Sequence, residues 1–313
     1  MEKLANFYFI YERKNGCDNY SIIVIKQFLE DLMNLKRVMI EKLKERVNFR
    51  DAYSEEFPNY FRTFKDSVVD GIDQLCFWTD FANGNGNELF EKNGIPPKFL
   101  ALSSSSAFVV NNFAIFKQNG LKIPFFHDSR IDHFEYKCPN GFGTPPNLDL
   151  MLRSETKVIG IESKFLEILK KKKPDFSWKY KEFFKSIPDS NSWKNVFEMV
   201  CKEKVAFEYL DVAQLIKHFC GLYNTFFTTK KAKAIELHYI FFEPKNSDRF
   251  KQFISHKDEL KRFSSLLNGE DIVFSYRSYQ EFWDLIDDSK FGGEDESVKN
   301  NFRQVRQRYD FEV

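Results

Sequence analysis

An α/β fold with a helical N-terminal region is predicted by three features of this sequence. Three short apolar strands separated by turn residues lie between positions 131 and 165, amphipathic helical stretches precede and follow them, and two later apolar strands alternate with helices up to residue 286. With 313 residues, 42% of them hydrophobic, the chain can bury the core of one large or two modest domains.

From Ile22 to about Arg46 the residues Ile25, Phe28, Leu29, Leu32, Leu35, Val38, Met39 and Leu43 recur at helical intervals among charges. They predict one long amphipathic helix, so residues 1–80 read as a helical N-terminal region. Asn83-Gly84-Asn85-Gly86-Asn87 breaks the pattern ahead of Glu88-Leu89-Phe90. Ser103 to Ser106 then supply N-cap candidates for a helix through Phe113, and Asn119-Gly120 is its stop.

Strands follow at Ile131–Lys137, Leu148–Leu152 and Val158–Phe165, with turns at Pro139-Asn140-Gly141 and Ser154-Glu155-Thr156, which predict an antiparallel meander. Beyond a lysine-rich stretch and a loop through Pro188-Asp189-Ser190-Asn191, residues 204–226 have helical spacing. Ala234–Phe242 is a buried strand ended by Pro244, Asp271–Tyr276 is another, and Gln280–Ile286 a final helix. Gly292-Gly293-Glu294-Asp295-Glu296 reads as a solvated loop, so residues 291–313 read as a short basic tail.

The balance of 47 basic and 46 acidic residues confines any affinity for nucleic acid to local patches. Cys17, Cys76, Cys138, Cys201 and Cys220 are odd in number and form no C-x-x-C pair, which argues against a disulfide framework or a zinc ribbon. No apolar run approaches a membrane span, and a cytoplasmic location is expected.

Chemistry concentrates in the meander. Asp149 lies between Leu148 and Leu150, so it faces away from the core, and on the next strand Gly160, Glu162 and Lys164 share a face while Ile159 and Ile161 point inward. Gly160 leaves room beside the carboxylate. Two adjacent carboxylates repel unless a cation neutralises them, so Asp149 and Glu162 invite a hard divalent ion, with Mg²⁺ the natural candidate. Lys164 could orient or deprotonate an attacking water, or offset charge on a phosphate, which is the equipment of phosphodiester hydrolysis. Two further E-x-K triplets act as controls: Glu259-Leu260-Lys261 lies in a charged helical pattern, and Glu243-Pro244-Lys245 has a proline where a strand must continue.

These residues resemble the PD-(D/E)XK, restriction-endonuclease-like nucleases, with Asp149, Glu162 and Lys164 matching the motif. The resemblance extends to a bacterial group of restriction endonucleases through Gly84-Asn85-Gly86-Asn87-Glu88-Leu89, Ser104-Ser105-Ser106-Ala107-Phe108-Val109-Val110-Asn111 and Gln214-Leu215-Ile216-Lys217-His218, covering about residues 80–245. One departure is that Pro146 stands three residues ahead of Asp149 instead of directly before it.

The resemblance implies a restriction-endonuclease-like core over residues 81–290, with a central mixed β-sheet flanked by helices. It implies a Mg²⁺-dependent DNA endonuclease of restriction or defence, with Mn²⁺ as a substitute, double-stranded DNA as partner and a homodimer that cuts both strands. A repair or recombination nuclease, or a non-catalytic nucleic-acid-binding protein on the same scaffold, is the alternative. By the same resemblance Asp149, Glu162, the Ser163 backbone carbonyl and Glu88 are metal ligands, Glu88 sitting at a helix start where it could equally complement the dipole. Gln214 is the polar residue that the later helix directs at the site, with Lys217 and His218 as candidate phosphate contacts, His218 reading first as a partly buried helix histidine.

Ser104, Ser105 and Asn111 read as a helix cap and its neighbours, with a DNA-facing role as the other option. His127-Asp128 and Asp132-His133 are read as loop residues over metal-hydrolase dyads. Lys170, Lys171, Lys172 and Lys173 are expected to contact phosphates, and the aromatics that follow them, from Phe176 to Phe184, either stack on unpaired bases or pack in the core.

Overall fold

The computed structural model describes residues 35–47, 52–84, 86–139, 141–142, 146–267, 271–290 and 295–313. Helices α1 (residues 35–46), α2 (Phe64–Ser67), α3 (Leu75–Asn83) and α4 (Ser105–Gln118) precede strands β1 (Arg130–Lys137), β2 (Asn147–Arg153) and β3 (Lys157–Lys164). Then come α5 (Trp178–Lys185), α6 (Ser192–Cys201), α7 (Val212–Leu222), β4 (Ala234–Phe241), α8 (Lys251–Ser265), β5 (Ile272–Ser278), α9 (Tyr279–Asp288) and α10 (Asp295–Tyr309).

The five strands form one mixed sheet in the order β1-β2-β3-β4-β5. β1, β2 and β3 are the expected antiparallel meander, and β4 and β5 add to it in parallel. Parallel neighbours need crossovers, which α5 to α7 and α8 provide. Pro146 directly precedes β2, where its missing N–H costs no ladder bond.

Both faces of the sheet are covered. Leu150, Leu152, Ile159 and Ile161 pack into one core with α4, α9 and α10, and with Leu35, Met39 and Leu43 of α1. Met151, Val158, Ile235, Leu237 and Tyr239 pack into a second with α6 and α7. The face expected to be open beside Glu162 is therefore roofed by α7. Gly160 serves that roof: a Cβ there would come within 2.7 Å of Leu148 Cδ1 and 3.4 Å of Leu222 Cδ1, so the room it leaves is filled by leucine. Leu148 accordingly packs on the α7 side, opposite to Leu150 and Leu152.

Several elements differ from the sequence reading. The part of the first predicted helix that precedes residue 35 lies outside the described residues, as do Asn140 and Gly292 to Glu294. α6 occupies a stretch that was expected to follow a loop without a helix of its own: Asn191 is its N-cap, accepting from Lys194 N–H at 3.2 Å, and Trp193, Val196, Phe197 and Val200 line its buried face. α5 buries only Tyr180 and Phe184, one turn apart among lysines, so its periodicity is too short to stand out. The residues expected as a basic tail instead form α10, whose Val298, Phe302, Val305 and Tyr309 enter the first core at helical intervals. None of the described helices is long and apolar enough to cross a membrane.

Candidate active site

Alternation along β3 puts Glu162 and Lys164 on the α7 side and turns Ser163 to the other face, where its Oγ lies 2.7 Å from the Tyr279 hydroxyl at the start of α9. The end of β3 is braced from that same side by aromatic packing. Phe165 stacks on Phe108 with centroids 4.4 Å apart, and Phe108 meets Tyr279 at 4.4 Å. Such ring pairs contribute about 0.5–1.5 kcal/mol each beyond the area they bury.

Asp149 reaches the site because the strands part. The β2–β3 ladder runs from Arg153↔Val158 only as far as Leu150↔Ile161. Just beyond it, the Asp149 carboxylate takes the place of a backbone acceptor, with Ser163 N–H donating to Oδ2 at 2.7 Å. The two acids therefore meet side by side at the mouth of a splayed strand pair.

From above, α7 contributes two side chains one turn apart. Asp211 caps the helix by accepting from Gln214 N–H at 3.1 Å. Gln214 Oε1 accepts from Lys164 Nζ at 2.8 Å, and His218 Nε2 lies 2.7 Å from Glu162 Oε2. Lys164 Nζ also donates to Glu162 Oε1. Glu162 is 1% exposed, so both its oxygens are held by this polar shell and not by water.

Electrostatics divides the two acids. Burial pushes Asp149 well above the usual carboxylate range, and Glu162 pushes it further. For Glu162 burial acts in the same direction, but Lys164 and His218 outweigh it and hold the group below its ordinary value. Burial would lower Lys164; Glu162 and Asp149 more than reverse this, so it stays an ammonium. Of the pair, Glu162 is the more readily ionised and Asp149 the more readily protonated, an imbalance that a nearby cation would relieve.

That imbalance, and an all-oxygen donor set, suit a hard divalent ion. Asp149 Oδ1 has no hydrogen-bond donor among the described residues. Among the described residues no group of three or more His, Cys, Asp or Glu side chains is arranged to hold a metal ion. Mg²⁺, though, commonly relies on one or two carboxylates and completes its shell with water and substrate phosphate. The residues present fit it on those terms.

A further acid, which no sequence motif singles out, stands beside the pair. Glu135 of β1 has a left-handed backbone (φ 51°) and accepts from Asn147 Nδ2 at 3.1 Å. Its pKa is pushed up to about 7, by burial first and then by Glu88 and Glu162. Glu88 is the acid expected at a helix start; it lies instead in a turn after α3, with Lys98 Nζ 3.3 Å away.

The remaining expected residues separate into surface and core. Lys170, Lys171, Lys172 and Lys173 are all exposed, with Lys171 paired to Glu208 at 2.6 Å and Lys172 to Asp211 at 3.4 Å. Lys217 lies over the rings of Phe176 and Tyr180, 6.0 and 5.8 Å from their centroids. His218, expected as a phosphate contact, is fully buried against Glu162 and cannot reach a phosphate on the surface. Ser104 caps α4, accepting from Ala107 N–H at 3.1 Å. Asn111 is a buried tie: Val69 N–H donates to it at 2.7 Å, and its Nδ2 bonds Ser67 O and the Tyr309 hydroxyl.

A second Glu/His/Lys group lies on the opposite face of the sheet. Glu236 of β4 accepts from Lys157 at 2.5 Å, with His238 Nε2 at 2.7 Å and His127 Nε2 at 3.3 Å. Burial alone would raise Glu236, but His238 and Lys157 hold it at about 2. Of the two dyads read as loop residues, His127 joins this cluster, whereas Asp132 and His133 lie in β1 and not in a loop, with His133 paired to Asp80 at 3.2 Å.

The family described as "Restriction Endonuclease associating with ARP" has a sequence model that matches residues 76–309. No curated protein and no solved structure matches the chain. The match spans the whole sheet and every residue of the acid pair, its lysine and the α7 shell.

Proposed function

Because the chain belongs to this restriction endonuclease family, we propose that it is a divalent-cation-dependent endodeoxyribonuclease of restriction or defence, hydrolysing phosphodiester bonds in double-stranded DNA. The observation that carries the reading is the meeting of Asp149, Glu162 and Lys164 at the splayed end of β2 and β3, under α7. Asp149 and Glu162, with the Ser163 carbonyl, would hold Mg²⁺ or Mn²⁺, and Glu88 stands nearby as a further acid. A bound divalent ion supplies Lewis acidity at the scissile phosphate and lowers the pKa of its water.

The chain's own residues supply the rest. Lys164, kept charged by the two carboxylates, offsets negative charge developing on the phosphate oxygens and is poorly suited to be the base. Gln214 fixes its ammonium and His218 fixes Glu162, so neither group has to be reoriented when substrate arrives.

The test is the full chain with supercoiled plasmid in Mg²⁺ or in EDTA, beside Asp149→Ala. Nicked or linear DNA is expected with Mg²⁺ alone and none from the variant, at an unchanged circular dichroism spectrum. Cleavage by Asp149→Ala at the wild-type rate would sink the assignment.

A further inference from the structure

Residues 170–185 carry seven lysines against only two carboxylates, Asp175 and Glu182, and five aromatics are interleaved with them. The structure sorts those aromatics. Tyr180 and Phe184 are buried, and Phe176 and Phe183 are partly buried and packed on the second core. Phe184 stacks on Phe197 at 4.2 Å, and Phe176 meets it edge-on at 5.0 Å. Trp178 alone stands out into solvent, at 68% exposure.

The exposed indole presents a large, flat aromatic face to solvent. Lys173, Lys179 and Lys181 around it are exposed and make no ion pair among the described residues. The helix that bears it is tied to the candidate active site. Lys217, over the rings of Phe176 and Tyr180, is three residues beyond Gln214 on α7.

We propose that Trp178 is a stacking platform for a DNA base lying outside the double helix, with Lys173, Lys179 and Lys181 holding the phosphates on either side. The charge calls for a polyanion, and the flat, exposed ring for a π-face that paired and stacked bases do not offer. Single-stranded DNA, or a locally opened duplex next to the cut, offers both. The proposal rests on the reading that the chain acts on DNA and gives that site a preferred form of it.

The experiment uses the full chain in EDTA, so that binding is read without cleavage. Affinities for a labelled single strand and for a fully paired duplex of the same length are measured by fluorescence anisotropy, for wild type, Trp178→Ala and Trp178→Phe. Trp178→Ala is expected to bind the single strand roughly ten- to a hundredfold more weakly, with little change on the duplex and partial recovery in Trp178→Phe. Equal affinity of wild type and Trp178→Ala for the single strand overturns the proposal, as does an equal loss on both DNAs. A change in oligomeric state by light scattering on Trp178→Ala also overturns it, by making the ring a protein contact. If wild type binds no DNA of either kind, in EDTA or with Ca²⁺ in its place, the endonuclease reading falls with it; if wild type binds and the variant is unaffected, only the platform falls.

Discussion

The two faces of the sheet carry nearly the same polar set, a glutamate flanked by a lysine and a histidine at 2.7 Å, yet only one set has the makings of a reaction centre. On the β4 face, Glu236 is a single negative charge matched by the Lys157 ammonium, with His238 and His127 as further polar partners, and these contacts hold it ionised. On the β3 face, Glu162 has its lysine and histidine but also a second carboxylate, Asp149, with Glu135 beyond it, and there are not enough cations to go round. The lesson is that composition of a cluster says little; what distinguishes a cation-binding centre from a structural ion pair is the charge left uncompensated.

The two lysines are expected to differ most. Lys164→Ala is expected to lower the rate of DNA cleavage by roughly a hundred- to a thousandfold, the scale of losing one preorganised group aimed at developing charge. Lys157→Ala should leave cleavage close to wild type while lowering the melting temperature. Comparable losses of rate in both variants would erase the distinction between the faces.

The glutamates sharpen it through pH. Glu135 is raised to about 7 in the folded chain, so between its ordinary pKa and about 7 the folded state binds the extra proton and stability falls as pH rises. Glu135→Gln should therefore be more stable than wild type at pH 8, by on the order of 2–3 kcal/mol, and lose that advantage near pH 4. Glu236 has the opposite sign. Its depression to about 2 contributes stability that is present above the ordinary carboxylate pKa and lost as pH falls towards 2. Glu236→Gln is expected to cost about 1–2 kcal/mol at pH 7, discounted for solvent screening, and progressively less in acid. Urea melts in EDTA across this pH range check both.

The smallest expected effect is at Gln214, which touches Lys164 and none of the acids' oxygens. Gln214→Ala should reduce kcat by about tenfold with KM little changed, as expected for a group that positions another. A rise in KM at unchanged kcat would make Gln214 a DNA contact instead.

Much of this was legible in the sequence because its strands obey period-two alternation, which places Glu162 and Lys164 together without any structure. The control triplets also read correctly. Glu259 accepts three backbone N–H groups, from Glu208, Tyr209 and Leu210, and Glu243 pairs with Lys257 at 2.8 Å. What stayed hidden depends on contacts between distant segments. No local pattern tells a helix histidine that grips a carboxylate from one that faces solvent, so His218 could not be placed. Glu135 joins the acids only because β1 takes a left-handed residue in mid-strand, a backbone choice that a glutamate does not announce. α10 is hard to read because a short acidic segment, one lysine and three arginines mask four buried residues at helical spacing.

The parting of β2 from β3 makes the state of the site readable from a backbone amide. The amide proton of Ser163 is secured by a carboxylate and not by strand backbone, so its exchange with deuterated solvent is expected to follow the ionisation of Asp149 and, on the proposed reading, its ligation of a divalent ion. The protein thus contains its own indicator. A peptide spanning the strand end, followed by mass spectrometry during a titration with Mg²⁺, reports the state of the acid pair in the absence of any substrate.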